Sequence, residues 1–77
     1  MIIACTIWKD EGFFLLVEGG RIDHAHHSNY AKHSLEETIE FSKAVQKAMS
    51  MTNETETLIV VSADHSHVMS YAGYGVI

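Results

Sequence analysis

Two short apolar runs, each followed at once by carboxylate and imidazole side chains, constrain what this chain can fold into. Residues 13–17 form the first run and lead into residues 18–27, which hold two carboxylates and three imidazoles. Residues 58–61 form the second and lead into residues 62–67, which hold one carboxylate and two imidazoles. Such clusters predict a metal site, because carboxylates and imidazoles are common ligands of catalytic metal ions.

The apolar runs predict two buried strands with a helix between them. A continuous rather than alternating run is typical of a parallel strand covered on both faces, and we expect strands at about 13–17 and 58–62. Residues 34–37 read Ser-Leu-Glu-Glu, a capping box, which predicts a helix over about 35–51. That helix has one broad apolar face and is expected to lie on the sheet. The predicted fold class is α/β, with a strand–helix–strand (βαβ) unit whose strands run parallel.

Parallel strands would bring the two polar clusters to one edge of the sheet, where ligand sites of such folds form. Asp23 and His27 stand four residues apart, so one helical turn would place both on one face. Asp64 and His65 would join them from the second cluster. Carboxylate and imidazole ligands without cysteine suit Zn²⁺, Mn²⁺ or Co²⁺, of which we favour Zn²⁺, and a carboxylate such as Glu18 suits Mg²⁺. The same side chains could instead form a hydrogen-bonded ion-pair network at the strand edge.

The length, the net charge and the cysteine count limit the size of the domain and the kinds of partner and cross-link it can have. The chain has 77 residues, about half of a typical domain, and we expect residues 1–77 to be a single incomplete domain. A net charge of −5 with five basic residues disfavours a nucleic-acid partner. One cysteine rules out a disulfide within the chain.

Residues 17–27 read Val-Glu-Gly-Gly-Arg-Ile-Asp-His-Ala-His-His, and residues 57–67 read Thr-Leu-Ile-Val-Val-Ser-Ala-Asp-His-Ser-His. Together they resemble the metal-binding core of alkaline phosphatases of the animal type, insect-like or otherwise invertebrate. The resemblance runs from about residue 12 to about residue 72. It implies a fragment of the catalytic domain, in which the βαβ unit belongs to a three-layer α/β/α sandwich with a largely parallel sheet.

The resemblance implies a two-zinc, one-magnesium site and a role for each residue that matches the motif. The implied metal ligands are Asp23 and His27 for one zinc ion, Asp64 and His65 for the other, and Glu18 for the magnesium ion.

Two further histidines lie beside these ligands in the sequence. The resemblance implies that His24 lines the phosphate site and that His67 contacts a ligand or the substrate without being a ligand itself. In that family a serine attacks a phosphate monoester and forms a phosphoserine, and no serine here matches the nucleophile motif. We therefore predict that the chain carries part of an alkaline phosphatase metal site and is inactive alone.

Two other functions remain open: a non-catalytic zinc-binding remnant, or another metallohydrolase of the same superfamily, such as a phosphodiesterase or a sulfatase. The string Glu-Gly-Gly-Arg-Ile-Asp-His favours alkaline phosphatase. The resemblance also implies a homodimer that is secreted or held on the extracellular face of the plasma membrane by a lipid anchor outside this chain. Finally, the tripeptide Asn-Glu-Thr at residues 53–55 makes Asn53 a candidate for N-glycosylation.

Overall fold

A computed structural model describes residues 2–7 and 9–70 as one β-hairpin followed by two helices. The body is elongated, 57 × 21 × 16 Å, and has little interior. Among residues 3–7 and 10–70, Ala25 is the only buried apolar residue and Ser34 the only buried polar one. In chain order the elements are strand β1 (Ile2–Ile7), a 3₁₀ turn (Lys9–Glu11), strand β2 (Phe13–Glu18), helix α1 (Arg21–His27) and helix α2 (Ala31–Met51).

The sheet is an antiparallel hairpin. β1 pairs with β2 in a register that sets Ile7 opposite Phe13 and Ile3 opposite Val17. Gly12 has a φ of 122°, which glycine adopts without strain, and it joins the 3₁₀ turn to β2. β2 thus lies where a strand is expected, at residues 13–17, but its partner is β1 and the pairing is antiparallel.

The expected parallel partner at 58–62 is not a strand in the described part of the chain, whose sheet contains β1 and β2 only. A strand needs a hydrogen-bonded neighbour, and none of the described residues supplies one there. Its apolar side chains therefore stand in solvent, with Leu58 88% and Val60 76% exposed. The prediction of a second strand is wrong for this structure.

Burial of the sheet also differs from the expectation. The four residues from Phe13 to Leu16 are 46–58% exposed, because α1 and α2 pack mainly on each other. Both faces of β2 carry apolar side chains, but the predicted burial of both faces is wrong for this structure, because the layers that would cover them are not among the described elements. None of the described helices combines the length and the apolar character needed to span a bilayer.

Helix α2 begins one turn earlier than the predicted start at residue 35. Ser34 lies inside the first turn, where its amide donates to the Tyr30 carbonyl at 3.0 Å and its hydroxyl to the Ala31 carbonyl at 2.9 Å. Ser34 is 2% exposed, and its hydroxyl also lies 3.8 Å from the Met69 sulfur. The capping-box prediction is therefore wrong, because this serine bonds backwards within the helix and packs under the 65–70 segment. The end of α2 at Met51 is where the sequence places it.

Gly19 lets α2 approach the junction between β2 and α1. A Cβ atom on Gly19 would lie 2.9 Å from Cδ2 and 3.3 Å from Cγ of Phe41, and 3.5 Å from Cδ1 of Ile22. The half-buried Phe41 ring thus packs directly on the glycine backbone, and any side chain there would displace it. A Cβ atom on Gly20 would meet only the Glu18 carboxylate, at an ordinary 3.5 Å.

Gly19→Ala is expected to lower the free energy of unfolding by about 1–3 kcal/mol, the usual cost of overfilling a packed site. Gly20→Ala, the matched control, should have a much smaller effect. Urea unfolding followed by helical circular dichroism measures both. In a double-mutant cycle, Phe41→Ala should relieve most of the cost of Gly19→Ala. Equal midpoints for the two alanine variants would show that the Phe41 contact does not limit packing.

Candidate metal centre

Helix α1 holds the first two side chains of the centre. β2 ends at Glu18, the chain turns at Gly19 and Gly20, and α1 begins at Arg21. Within α1 the four-residue spacing places Asp23 and His27 on one face, and Asp23 Oδ2 lies 3.2 Å from His27 Nε2. One oxygen and one nitrogen atom that could bind a metal ion therefore lie close together on α1.

The segment after residue 63 brings two more imidazoles to the same carboxylate. His65 Nε2 lies 3.4 Å and His67 Nε2 3.5 Å from Asp23 Oδ1. Three imidazole nitrogens thus surround one carboxylate. Ligand atoms of Asp23, His27 and His67 all lie within 4.8 Å of one another, close enough to share one metal ion.

The inner oxygen of Asp23 needs a positive partner. Oδ1 is buried, and no described residue donates a hydrogen bond to it, although two imidazole nitrogens lie 3.4 and 3.5 Å away. Leaving a buried acceptor unsatisfied costs about 1–3 kcal/mol, and more when the group is charged. A cation between this oxygen and the imidazoles would remove that cost, so the residues present fit a metal ion.

Backbone carbonyls orient two of the imidazoles. Nδ1 of His65 lies 2.8 Å from the Ser66 carbonyl, and Nδ1 of His67 lies 2.8 Å from the Val68 carbonyl. Because a carbonyl can only accept, Nδ1 carries the proton and, in the neutral ring, Nε2 presents its lone pair towards Asp23. Metal-binding histidines commonly donate their other nitrogen in this way.

Protonation would compete with a metal ion at His65. The Ser66 carbonyl, then the Asp64 carboxylate and more weakly that of Asp23 raise the pKa of His65 above its ordinary value of 6.5, and desolvation opposes them. Because a metal ion binds the unprotonated imidazole, its affinity for the centre should fall as the pH is lowered through this raised pKa.

The other predicted site residues lie outside the three-residue group. Asp64 has an 83% exposed side chain, and its Oδ1 accepts a hydrogen bond from the amide of His65 at 3.1 Å. Glu18 is exposed and its carboxylate lies beside Gly20. His24 is exposed on α1. The structure brings Asp64 near the centre only through His65 Nε2, 3.6 Å from Asp64 Oδ2.

His67 contributes more to the geometry than its sequence position alone suggests. It is the best buried of the three imidazoles, with a side chain 15% exposed, and its ring stacks edge-on with His27 at a centroid distance of 4.6 Å. The signal in the sequence is its spacing from His65, since residues two apart in an extended segment share a side. A cleft of about 360 Å³ opens beside it, lined by His26, His27, Asn29, His67, Val68 and Ser70.

The profile of the alkaline phosphatase family matches residues 5–76 of the chain. This chain belongs to the alkaline phosphatase family. The name denotes phosphoric monoester hydrolases. The family implies metal ions, and the ligand atoms of Asp23, His27 and His67 lie close enough together to bind one.

Individual alkaline phosphatases align with most of the chain. It is 62% identical over 66 residues to membrane-bound alkaline phosphatase of Bombyx mori, covering 86% of this chain and 12% of the relative. It is 56% identical over 76 residues to the tissue-nonspecific isozyme of Homo sapiens, covering 96% and 14%. Alkaline phosphatase 4 of Drosophila melanogaster is 54% identical over 66 residues, covering 86% and 11%. The chain thus spans 11–14% of the length of these relatives. No solved structure gives a significant match.

Asn29 links the two parts of the candidate metal centre, although no motif in the sequence marks it. It closes α1 with a left-handed φ of 53°, which asparagine tolerates better than most residues. Its Nδ2 donates to the Ser70 carbonyl at 2.8 Å, across 41 residues of sequence. This bond ties the segment that carries His65 and His67 to the helix that carries Asp23.

Asn29→Gly keeps the left-handed backbone and removes only the amide bond to Ser70. Loss of one net hydrogen bond, about 1 kcal/mol, should raise the opening equilibrium of the 65–70 segment roughly fivefold. Hydrogen exchange by mass spectrometry on a peptide covering 65–70 measures it, with Asn53→Gln as a control at the other end of α2. Unchanged exchange in Asn29→Gly would mean that other contacts hold the segment.

Proposed function

We propose that this chain forms part of the metal centre of an alkaline phosphatase that hydrolyses phosphate monoesters. The observation that carries the proposal is the buried Oδ1 of Asp23, which lies among imidazole nitrogens and has no hydrogen-bond donor among the described residues. A solvent-exposed ion-pair network would not need to bury this oxygen. Family membership supplies the chemical class.

We propose the predicted two-zinc, one-magnesium arrangement for the metals. Asp23 and His27 would hold one zinc ion, Asp64 and His65 the second, and Glu18 the magnesium ion. Zinc and magnesium ions, when bound, would supply positive charge that stabilises the developing negative charge of phosphoryl transfer. The 3.2 Å contact between Asp23 and His27 supports the first pair.

The protein's own residues would prepare the centre before any metal binds. α1 fixes Asp23 and His27 at one turn's spacing, and the Ser66 carbonyl holds the proton of His65 on Nδ1. We propose that His67 orients Asp23 rather than serving as an obligatory ligand, and that His24 faces the phosphate of the substrate. The open cleft beside His67 gives that substrate room to approach.

The wider arrangement is also a proposal. The two apolar faces of the hairpin and the exposed run at 58–61 are surfaces that the layers of a three-layer α/β/α sandwich would cover. The Bombyx mori relative is a membrane-bound alkaline phosphatase, which supports a place at a membrane for this protein as well. From the family resemblance we propose the extracellular face of the plasma membrane, or secretion. We propose the lipid anchor and the homodimer on the basis of the family resemblance.

Asp23→Asn is expected to weaken Zn²⁺ binding by at least about 100-fold. Loss of a residue that only orients a metal ligand already costs up to about 100-fold in affinity, and Asp23 is itself a proposed ligand. The amide keeps the shape of the side chain but removes the charge that three imidazoles share. Competition between the 77-residue chain and a chromogenic chelator measures the affinity.

Matched variants make this zinc assay specific. His33→Ala, on the exposed part of α2, should leave the affinity unchanged, and Glu18→Gln should weaken Mg²⁺ binding without affecting Zn²⁺. His67→Gln keeps a polar side chain beside Asp23 and should retain most of the zinc affinity, whereas His67→Ala should lose more. Zinc affinity in Asp23→Asn equal to that of the unaltered chain would refute the proposed centre, and zinc loss in His67→Gln as large as in His27→Ala would make His67 a ligand.

The zinc-loaded chain is expected to show no turnover of a chromogenic phosphate monoester at alkaline pH beyond that of Asp23→Asn. The reason is the missing nucleophile, since no serine of the chain fits the family's motif. A rate clearly above the variant would show that another group can attack the phosphate. Turnover of a phosphodiester but not of a monoester would favour the phosphodiesterase alternative.

A further inference from the structure

The turn after α2 contains the tripeptide Asn-Glu-Thr at residues 53–55, which fits the acceptor sequence for an N-linked glycan. α2 ends at Met51, and the carbonyl of Asn53 then accepts hydrogen bonds from the amides of Glu56 at 2.9 Å and Thr57 at 2.8 Å. These bonds close a tight turn around residues 53–55, and the side chains of Asn53 and Thr55 are exposed. The turn therefore presents both side chains to solvent.

The threonine hydroxyl already contacts the asparagine amide. Asn53 Oδ1 accepts from the Thr55 hydroxyl at 2.8 Å and from the Thr55 amide at 3.0 Å. Because both groups are donors here, the atom facing Thr55 must be the oxygen, and Nδ2 lies on the opposite side of the amide group. No described residue accepts a hydrogen bond from Nδ2, so the nitrogen is free to be modified.

We propose that Asn53 is an N-glycosylation site. A lipid-linked oligosaccharide diphosphate would be the donor: the bond from the sugar C1 to the diphosphate oxygen breaks, a bond from C1 to Asn53 Nδ2 forms, and one Nδ2 proton passes to the solvent. The lipid diphosphate is the leaving group. The proposal rests on the extracellular location given above, because such donors act in the secretory pathway.

Asn53 is the only residue of the chain that meets the pattern. The other asparagine, Asn29, is followed by Tyr30 and Ala31 and so lacks the hydroxyl at the third position. Its Nδ2 is also engaged with the Ser70 carbonyl. A single glycan per chain is therefore expected.

The glycan would leave the metal centre accessible. α2 starts beside the centre at Ala31, ends at Met51 and has 21 residues, which at about 1.5 Å per residue is roughly 30 Å. Asn53 follows the far end of that helix. Modification there can add a bulky hydrophilic group without covering Asp23.

The test is translation of the full chain behind a cleavable secretory signal sequence in the presence of microsomes. We expect one upward mass step on electrophoresis that peptide N-glycosidase removes. Asn53→Gln should abolish the step, as should Thr55→Ala. Thr55→Ser keeps a hydroxyl and should retain the step at reduced occupancy. Glu54→Pro keeps both functional side chains and should abolish it.

A chain that is protected from added protease inside the microsomes but shows no mass step would overturn the proposal, as would a step that persists in Asn53→Gln. Protection shows that the chain reached the lumen, so these results do not depend on its folding. The assay contains no metal measurement, and the signal sequence delivers the chain whatever its native location. Failure of glycosylation is therefore distinguishable from failure of the proposed metal centre.

Discussion

The carboxylate of Asp23 is the interaction on which the rest of this structure depends. It lies where helix α1 meets the segment that follows residue 63, and it is approached by His27 from its own helix and by His65 and His67 from the other segment. The described structure buries few side chains, so this polar meeting point is a principal link between distant parts of the chain. A buried acceptor without a donor is unfavourable by itself. The proposed cation would turn this unfavourable feature into the contact that joins the two segments.

Neutral contacts hold the two segments in position for that meeting. Phe41 packs on the bare backbone of Gly19 and so sets α2 against the start of α1. Asn29 then bonds to the Ser70 carbonyl, and Ser34 packs beneath Met69. These contacts involve neither a metal nor a charge. They can therefore align Asp23 with His65 and His67 without a metal ion.

Large apolar surfaces remain outside this arrangement. Both faces of the hairpin and the run at 58–61 are exposed, and contiguous apolar surface of this kind usually marks an interaction site. The candidate metal centre would bind a cation, whereas the apolar surfaces would be covered by further apolar layers. Because metal affinity and folding are thermodynamically linked, ligand variants are expected to affect the order of the 65–70 segment as well as metal content.

Residue spacing and local composition predicted part of the fold and part of the candidate metal centre. The four-residue step from Asp23 to His27 determined their contact, because a single helical turn fixes it without help from elsewhere. The apolar run at 13–17 indicated β2 and the polar turn after Met51 indicated the end of α2, since both depend on local composition. The three residues 53–55 likewise identified the acceptor tripeptide.

The tertiary structure decided what depends on distant neighbours. It paired β2 with β1 rather than with 58–62, since a strand's partner is not encoded in the strand alone. It moved the start of α2 to Ala31, because Ser34 is held beneath Met69 instead of capping the helix. It also left Asp64 exposed and brought His67 to Asp23, since these positions follow from the path of the 65–70 segment and from its tether at Asn29. Sequence thus determined the donor types and their local spacing, and long-range packing decided which of those donors meet.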